Sequence, residues 1–133
     1  MTHDNAGKLV LRLTIGVLLL LHGLHKLMYG MGGVSSLVAS QGWPHFIAYG
    51  VYIGEVLAPV LLILGLYTRA AAFIVVCHML VAIFLAHMGQ LFQLGNNGGW
   101  RLELQGLFLF GAFAISLLGA GRYSVGGAGG RYN

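Results

Sequence analysis

Residues 9–29 read LVLRLTIGVLLLLHGLHKLMY, and this stretch decides the fold. A bilayer's hydrocarbon core is about 30 Å thick and a helix rises about 1.5 Å per residue, so about 20 apolar residues are needed to cross it. The stretch has that length. Its few polar groups stand toward its ends: Arg12 near the start, His22, His25 and Lys26 near the finish. At about 100° per residue, Arg12, Gly16, Gly23 and Lys26 fall within one narrow arc with His22 on its flank, so one face of this helix is polar or small. His22 and Lys26, four apart, stack on adjacent turns, while His25 points elsewhere. A signal peptide would carry a small-residue cleavage site after its apolar run; none follows Leu21, and the segment is expected to be a retained first helix.

Three more segments meet the same test, at about 46–67, 70–88 and 104–118. The second is interrupted by Glu55 and Pro59. The Gly-rich link after Tyr29 contains Val34, Leu37 and Val38, which suit a short interfacial helix, and ends at Pro44, which can open the second helix. The second and third segments are joined only around Thr68 and Arg69 and must form an antiparallel hairpin. Gly95-Asn96-Asn97-Gly98-Gly99 separates the third from the fourth. The chain thus reads as all-α: one polytopic membrane domain over residues 1–133, an antiparallel bundle of four transmembrane helices. Composition agrees, since 58% of the residues are hydrophobic and 8% charged, against about a quarter charged in ordinary globular domains. The seven Lys and Arg are scattered singly, a pattern that orients a membrane protein and excludes nucleic acid as a partner. Cys77 is the only cysteine, so no internal disulfide forms. Lys8, Arg12, Arg69, Arg122 and Arg131 fall on one side of the bilayer, Lys26 and Arg101 on the other, which predicts both termini in the cytoplasm and places Trp43 and Trp100 near the outer interface. The glycine-rich tail from Gly119 to Gly130 is expected to be poorly ordered at its end.

Ionisable groups in hydrocarbon are costly and usually face the bundle interior in pairs. Depth along each segment brings His22, Lys26, Glu55, His78, Glu103 and Gln105 into the outer half, with His87 near the outer rim, and predicts a shared polar pocket there. Arg12 is expected to snorkel to the inner interface. The bland alternative is a set of inter-helical pairs that only fixes helix register. His22, His78 and Glu55 could in principle ligate a metal, but neither Glu-x-x-His nor His-Glu-x-x-His spacing occurs, so no metal is expected. Met28, Met31, Met79 and Met88 read as core filler, and Gly54, Gly65 and Gly111 as close helix contacts.

Leu11-Arg12-Leu13 with Gly16, then His22-Gly23-Leu24-His25-Lys26-Leu27, resembles the opening motif of the DoxX family. Glu55 with the run from Leu62 through Tyr67-Thr68-Arg69 to Ala72 is similar to its second-helix and hairpin motif, and Met79-Leu80-Val81-Ala82-Ile83 to its third. Glu103 and the ending Gly119-Ala120-Gly121-Arg122-Tyr123-Ser124 complete the resemblance. His78, His87 and the Asn96-Asn97 loop stand outside it. The resemblance implies a small four-helix protein of the bacterial inner membrane, related to the DoxD-type subunit of thiosulfate:quinone oxidoreductases.

On that footing the expected ligand is a quinone or similar amphipathic molecule, with no covalent cofactor. His22 and Lys26 would donate hydrogen bonds to it, with His78 and Gln105 beside them, and Glu55 or Glu103 would relay protons. No Rossmann, P-loop or haem-attachment motif is present, so electrons would come from a soluble or membrane redox partner, and the chain is an incomplete enzyme by itself. Homo-oligomers are compatible with this reading. The rival expectations are a non-catalytic membrane scaffold for soluble redox proteins and a small proton-linked transporter. The second is disfavoured without a visible inverted repeat.

Overall fold

The computed structural model describes residues 2–30 and 32–133, without the side chains of Thr2, Ala86, His87 and Gln90. Met31 and the His87 side chain, both weighed above, therefore lie outside the described residues. Helix α1 runs Thr2–Tyr29, two turns longer at its start than the apolar run, with Asp4 in its first turn where the positive end of the helix dipole favours an acid. A short helix α2, Gly32–Ser40, occupies the link where an interfacial helix is expected. Helix α3 spans His45–Leu64, and Pro44 precedes it in extended conformation. Helix α4 runs Thr68–Ala82 and continues into a wide π turn, Ile83–His87. Helix α5 runs Glu103–Leu118. Among the described residues the only β pairing is a bridge between Leu94 and Trp100 in the α4–α5 connection.

Helices α1, α3 and α4 are long and apolar enough to cross a membrane, and α5 is apolar but shorter. Each of these four helices packs on two of the others: α1 on α3 and α5, and α4 on α3 and α5. The interior is apolar and includes Leu19 from α1, Leu62 from α3, Val75 from α4 and Ile115 from α5, with Ala58, Ala71, Ala72 and Ala112 letting backbones come close. The outside is apolar as well. On α1 the exposed stripe Val10, Leu13, Val17, Leu21, Leu24 and Met28 recurs every three or four residues, opposite the polar arc. A helix apolar on both faces belongs in a membrane.

The arc of small and polar residues on α1 is the seam with α3. A Cβ at Gly16 would lie 2.8 Å from Ile63 Cγ1 and 3.2 Å from the Pro59 carbonyl oxygen, and one at Gly23 would overlap the Glu55 carbonyl oxygen. Contacts that rise along one helix and fall along the other make the pair antiparallel.

Arg12 does not snorkel. It is 1% exposed, and its guanidinium donates to carbonyls alone: Nε to Leu62 at 2.7 Å, Nη1 to Ala120 at 2.8 Å and Tyr123 at 3.1 Å, Nη2 to Ile63 at 3.3 Å and Tyr123 at 3.1 Å. The cause lies in α3, which stops at Leu64 because Gly65 turns left-handed (φ 77°) and so leaves carbonyls without intrahelical donors. Arg12 serves Leu62 and Ile63, while Val125 N–H serves Leu64 and Gly126 N–H serves Gly65. Arg69 does the same at the end of α5, donating to Ser116 and Leu117.

The tail is likewise not loose. Beyond α5 the chain turns at Gly119, Gly121 and Gly127, all with positive φ, and folds back onto the α3–α4 turn. Arg69 N–H donates to Tyr132 O, Ala120 N–H to Asn133 O, and Thr68 N–H to Asn133 Oδ1. Asn133 Nδ2 donates to Ser124 Oγ and Gly127 O. Glycine richness here supplies tight turns for backbone pairing, which outweighs the disorder that the composition suggests.

Candidate functional site

Three helices meet at one carboxylate. Glu55 lies in a π-helical turn, Ile53–Leu57, where α3 widens. Pro59, four residues on, has no N–H to return to the Glu55 carbonyl, so a regular turn cannot close there. Two glycines admit the neighbours. Gly23 lets α1 come onto the Glu55 carbonyl, and a Cβ on Gly54 would stand 2.5 Å from His78 Cγ, so only glycine lets the α4 imidazole lie over this turn.

Lys26 Nζ donates to both Glu55 oxygens, at 2.7 and 2.6 Å, and His78 Nε2 lies 2.8 Å from Oε2. Glu55 is 3% exposed, and the Lys26 and His78 side chains are 28% and 12% exposed. An ionised carboxylate only accepts, so His78 donates from Nε2 and keeps Nδ1 for another partner. Lys26 has three N–H groups and gives two of them to Glu55. The buried charge is thus compensated while hydrogen-bonding capacity is left over.

The same three residues line a cavity of about 660 Å³ whose other walls come from α2, α3 and α4, within the usual range for a small-molecule site. Lys26, Glu55 and His78 form its polar end. The remainder is mainly apolar, including Val38, Ile47, Ile74 and Leu85, and Cys77 opens onto it one residue before His78. Trp43, on the link from α2, stacks on Phe84 of α4 with ring centroids 6.0 Å apart and planes 5° from parallel, which ties α2 to the cavity's far wall. A second, smaller cavity of about 130 Å³ shares Lys26, Glu55, His78 and Ala82 with the first and is lined also by His22, Gln105 and Phe108.

Of the other residues expected at the site, His22 and Gln105 join Lys26, Glu55 and His78 on the small cavity, and Glu103 does not. His22 is exposed, with Nδ1 bonded to Leu18 O at 3.0 Å and its ring edge-on to Phe108, and it lines only the small cavity. Gln105 also lines only that cavity. Glu103 is exposed at the first turn of α5 beside Gly99 and lines neither; shared depth did not bring it to Glu55, because it sits where the loop meets the helix. Arg12, Gly23 and Arg69 are the seam and cap residues described above. Arg122 donates its backbone N–H to Asn5 Oδ1, Tyr123 offers its carbonyl to Arg12, and Ser124 Oγ donates to Gly121 O. Unanticipated from sequence is the large apolar cavity, to which α2 and Cys77 contribute.

Two curated relatives align along most of the chain. One, from Haemophilus influenzae, is 35% identical over 108 residues, 78% of this chain and 79% of its own, and carries the description "Uncharacterized protein". The other, from Bacillus subtilis, is 31% identical over 114 residues, 86% of this chain and 80% of its own, and carries the name "Putative oxidoreductase CatD". No solved structure matches significantly. The DoxX family model matches residues 7–88, a stretch that includes Arg12, Gly23, Lys26, Glu55 and His78 and so the whole α1–α3 seam with its carboxylate site, and this chain belongs to the DoxX family.

Proposed function

We propose that the chain is a quinone-interacting or accessory subunit of a redox system in the bacterial inner membrane, with four antiparallel spans, both termini cytoplasmic and the large cavity in the outer half of the bilayer. The distribution of Lys and Arg supports the orientation: Lys8, Arg12, Arg69, Arg122 and Arg131 belong to the end that carries both termini. The observation that carries the ligand reading is the Lys26–Glu55–His78 cluster at the polar end of an otherwise apolar cavity of about 660 Å³. A quinone has this division, with two carbonyl oxygens on a ring and an alkyl tail. Its oxygen accepts from the N–H of Lys26 that Glu55 leaves free, its reduced form donates to His78 Nδ1, and the tail lies along Val38, Ile47 and Leu85. Glu55 holds both donors in place and buffers the proton. The relative named as an oxidoreductase supports redox chemistry over a purely structural role. Electrons come from a soluble or membrane redox partner. Glu103 has no part in this reading.

Cys77 supplies the test, being the chain's single thiol and a wall of the cavity. Decylubiquinone, whose ring carbons are fully substituted and do not add thiols, is expected to protect Cys77 from N-ethylmaleimide in detergent or nanodiscs. Glu55→Gln and Lys26→Met should each raise the concentration needed by at least roughly tenfold, the loss of a charge-assisted contact. Labelling that is indifferent to decylubiquinone in the unsubstituted protein, or protection equal in all three proteins, would rule the site out.

A further inference from the structure

Lys26, Glu55, His78 and Ala82 line both cavities and so stand where the two meet. The two sides differ in chemistry. The large side is mainly apolar, whereas half of the small cavity's lining is polar: His22, Lys26, Glu55, His78 and Gln105. A water takes about 30 Å³ of liquid volume and needs two to four polar partners, so a space of this size and lining suits a few waters. We propose that the small cavity is a water chamber through which the Glu55–His78 pair exchanges protons with the aqueous phase, with His22 at its mouth. This role rests on the ligand reading above, since it supplies that ligand's protons.

The nitrogens have the geometry of a relay. A carbonyl only accepts, so His22 donates from Nδ1 to Leu18 O, and its neutral ring has Nε2 free to take up a proton. His22 is exposed and therefore meets water. At the wall, His78 Nε2 is on Glu55, while Nδ1 would be 2.8 Å from a Cβ on Gly54, a residue that lines the large cavity and not the small one. The imidazole thus has one nitrogen on the carboxylate and the other beside Gly54. A proton from the aqueous phase passes by His22 and chamber water to Glu55. Lys26, bonded to the same carboxylate, gives the proton of its third N–H to an oxygen in the large cavity and takes the one on Glu55 in its place, while His78 keeps its Nε2–H on Glu55. One proton enters for each one delivered, and no electron moves in the relay. Among the described residues the titratable groups facing the chamber are His22 and Lys26 from α1, Glu55 from α3 and His78 from α4; α5 contributes Gln105, Phe108 and Leu104.

The test uses the full chain, labelled with 15N-histidine, in lipid nanodiscs, and measures how fast the His78 ring N–H exchanges with water, the signal being assigned by its loss in His78→Gln. His22→Phe keeps a ring beside Phe108 and Gln105→Leu keeps the side-chain bulk. Each is expected to slow exchange by at least roughly tenfold, in the range that positioned proton-transfer groups contribute. Phe113→Leu, on the exposed face of α5 and lining neither cavity, should leave the rate unchanged. Exchange at the original rate in both chamber variants, or slowed as much by Phe113→Leu, overturns the proposal. Cys77 protection by decylubiquinone is read on the same samples and should persist in His22→Phe and Gln105→Leu. Its absence in the unsubstituted protein defeats the ligand reading, whereas intact protection with unslowed exchange defeats the chamber alone.

Discussion

Arg12→Leu is expected to yield little folded protein. Five hydrogen bonds from this one guanidinium reach carbonyls on two separate parts of the chain, the end of α3 and the segment after α5. Leucine fills much of the volume and supplies no donor, so Leu62, Ile63, Ala120 and Tyr123 lose their Arg12 partner together. Each buried acceptor left without one costs about 1–3 kcal/mol, and these costs are not additive. A net loss of about 3–5 kcal/mol compares with a total stability of about 5–15 kcal/mol for a typical domain. Arg12→Lys should recover only part of it, because an ammonium cannot span both carbonyl sets in the way a planar fork does. Fluorescence-detected size exclusion after a heating series gives the midpoints. A monodisperse Arg12→Leu protein that melts with the unsubstituted one would show that the tail and α3 hold together without the guanidinium.

Gly23→Val is expected to be the next most damaging change. The new Cβ would overlap the Glu55 carbonyl oxygen and lie 2.6 Å from its carbon. Backbone cannot swing aside as a side chain can, so α1 and α3 must separate, at a cost of about 3 kcal/mol by analogy with overpacked cores. Separation also lengthens the Lys26–Glu55 contact. Lys26→Met should therefore cost less in the Gly23→Val background than alone, and a double-mutant cycle on thermal or denaturant midpoints measures that difference. Gly7→Ala, on the same helix with open space where its Cβ would be, should instead stabilise by up to about 1 kcal/mol through helix propensity. Equal effects from the two substitutions would mean that the close approach at Gly23 is not what joins the helices.

The arc Arg12, Gly16, Gly23 and Lys26 was legible as a face because helical spacing fixes direction, and it proves to be the seam with α3. Charge made Lys26 and Glu55 legible as partners, since neither can face hydrocarbon alone. Depth found His78, which points inward from α4. The same reasoning could not place Glu103, because depth says nothing of azimuth and Glu103 stands where a loop becomes a helix. Arg12 misled for a related reason: snorkelling is one way to satisfy a guanidinium near a span's end, and the uncapped carbonyls of a neighbouring helix are another. Whether such carbonyls exist depends on where α3 stops, and Gly65 ends it at Leu64, three residues before the apolar run does at Tyr67. The tail glycines carry the same lesson, since composition cannot tell a flexible strand of glycines from one whose turns are paired. No single residue announces the large apolar cavity, whose walls come from α2, α3 and α4 at once.

The Lys26–Glu55 contact also bears on how the chain enters the bilayer. The partners are 29 residues apart, so at about 5–20 residues per second Lys26 leaves the ribosome on the order of 1.5–6 s before its carboxylate. During that interval a bare ammonium would cost about 2.5–3.5 kcal/mol near the membrane centre. The nascent first helix is therefore expected to hold Lys26 toward the headgroups until Glu55 arrives to pair with it.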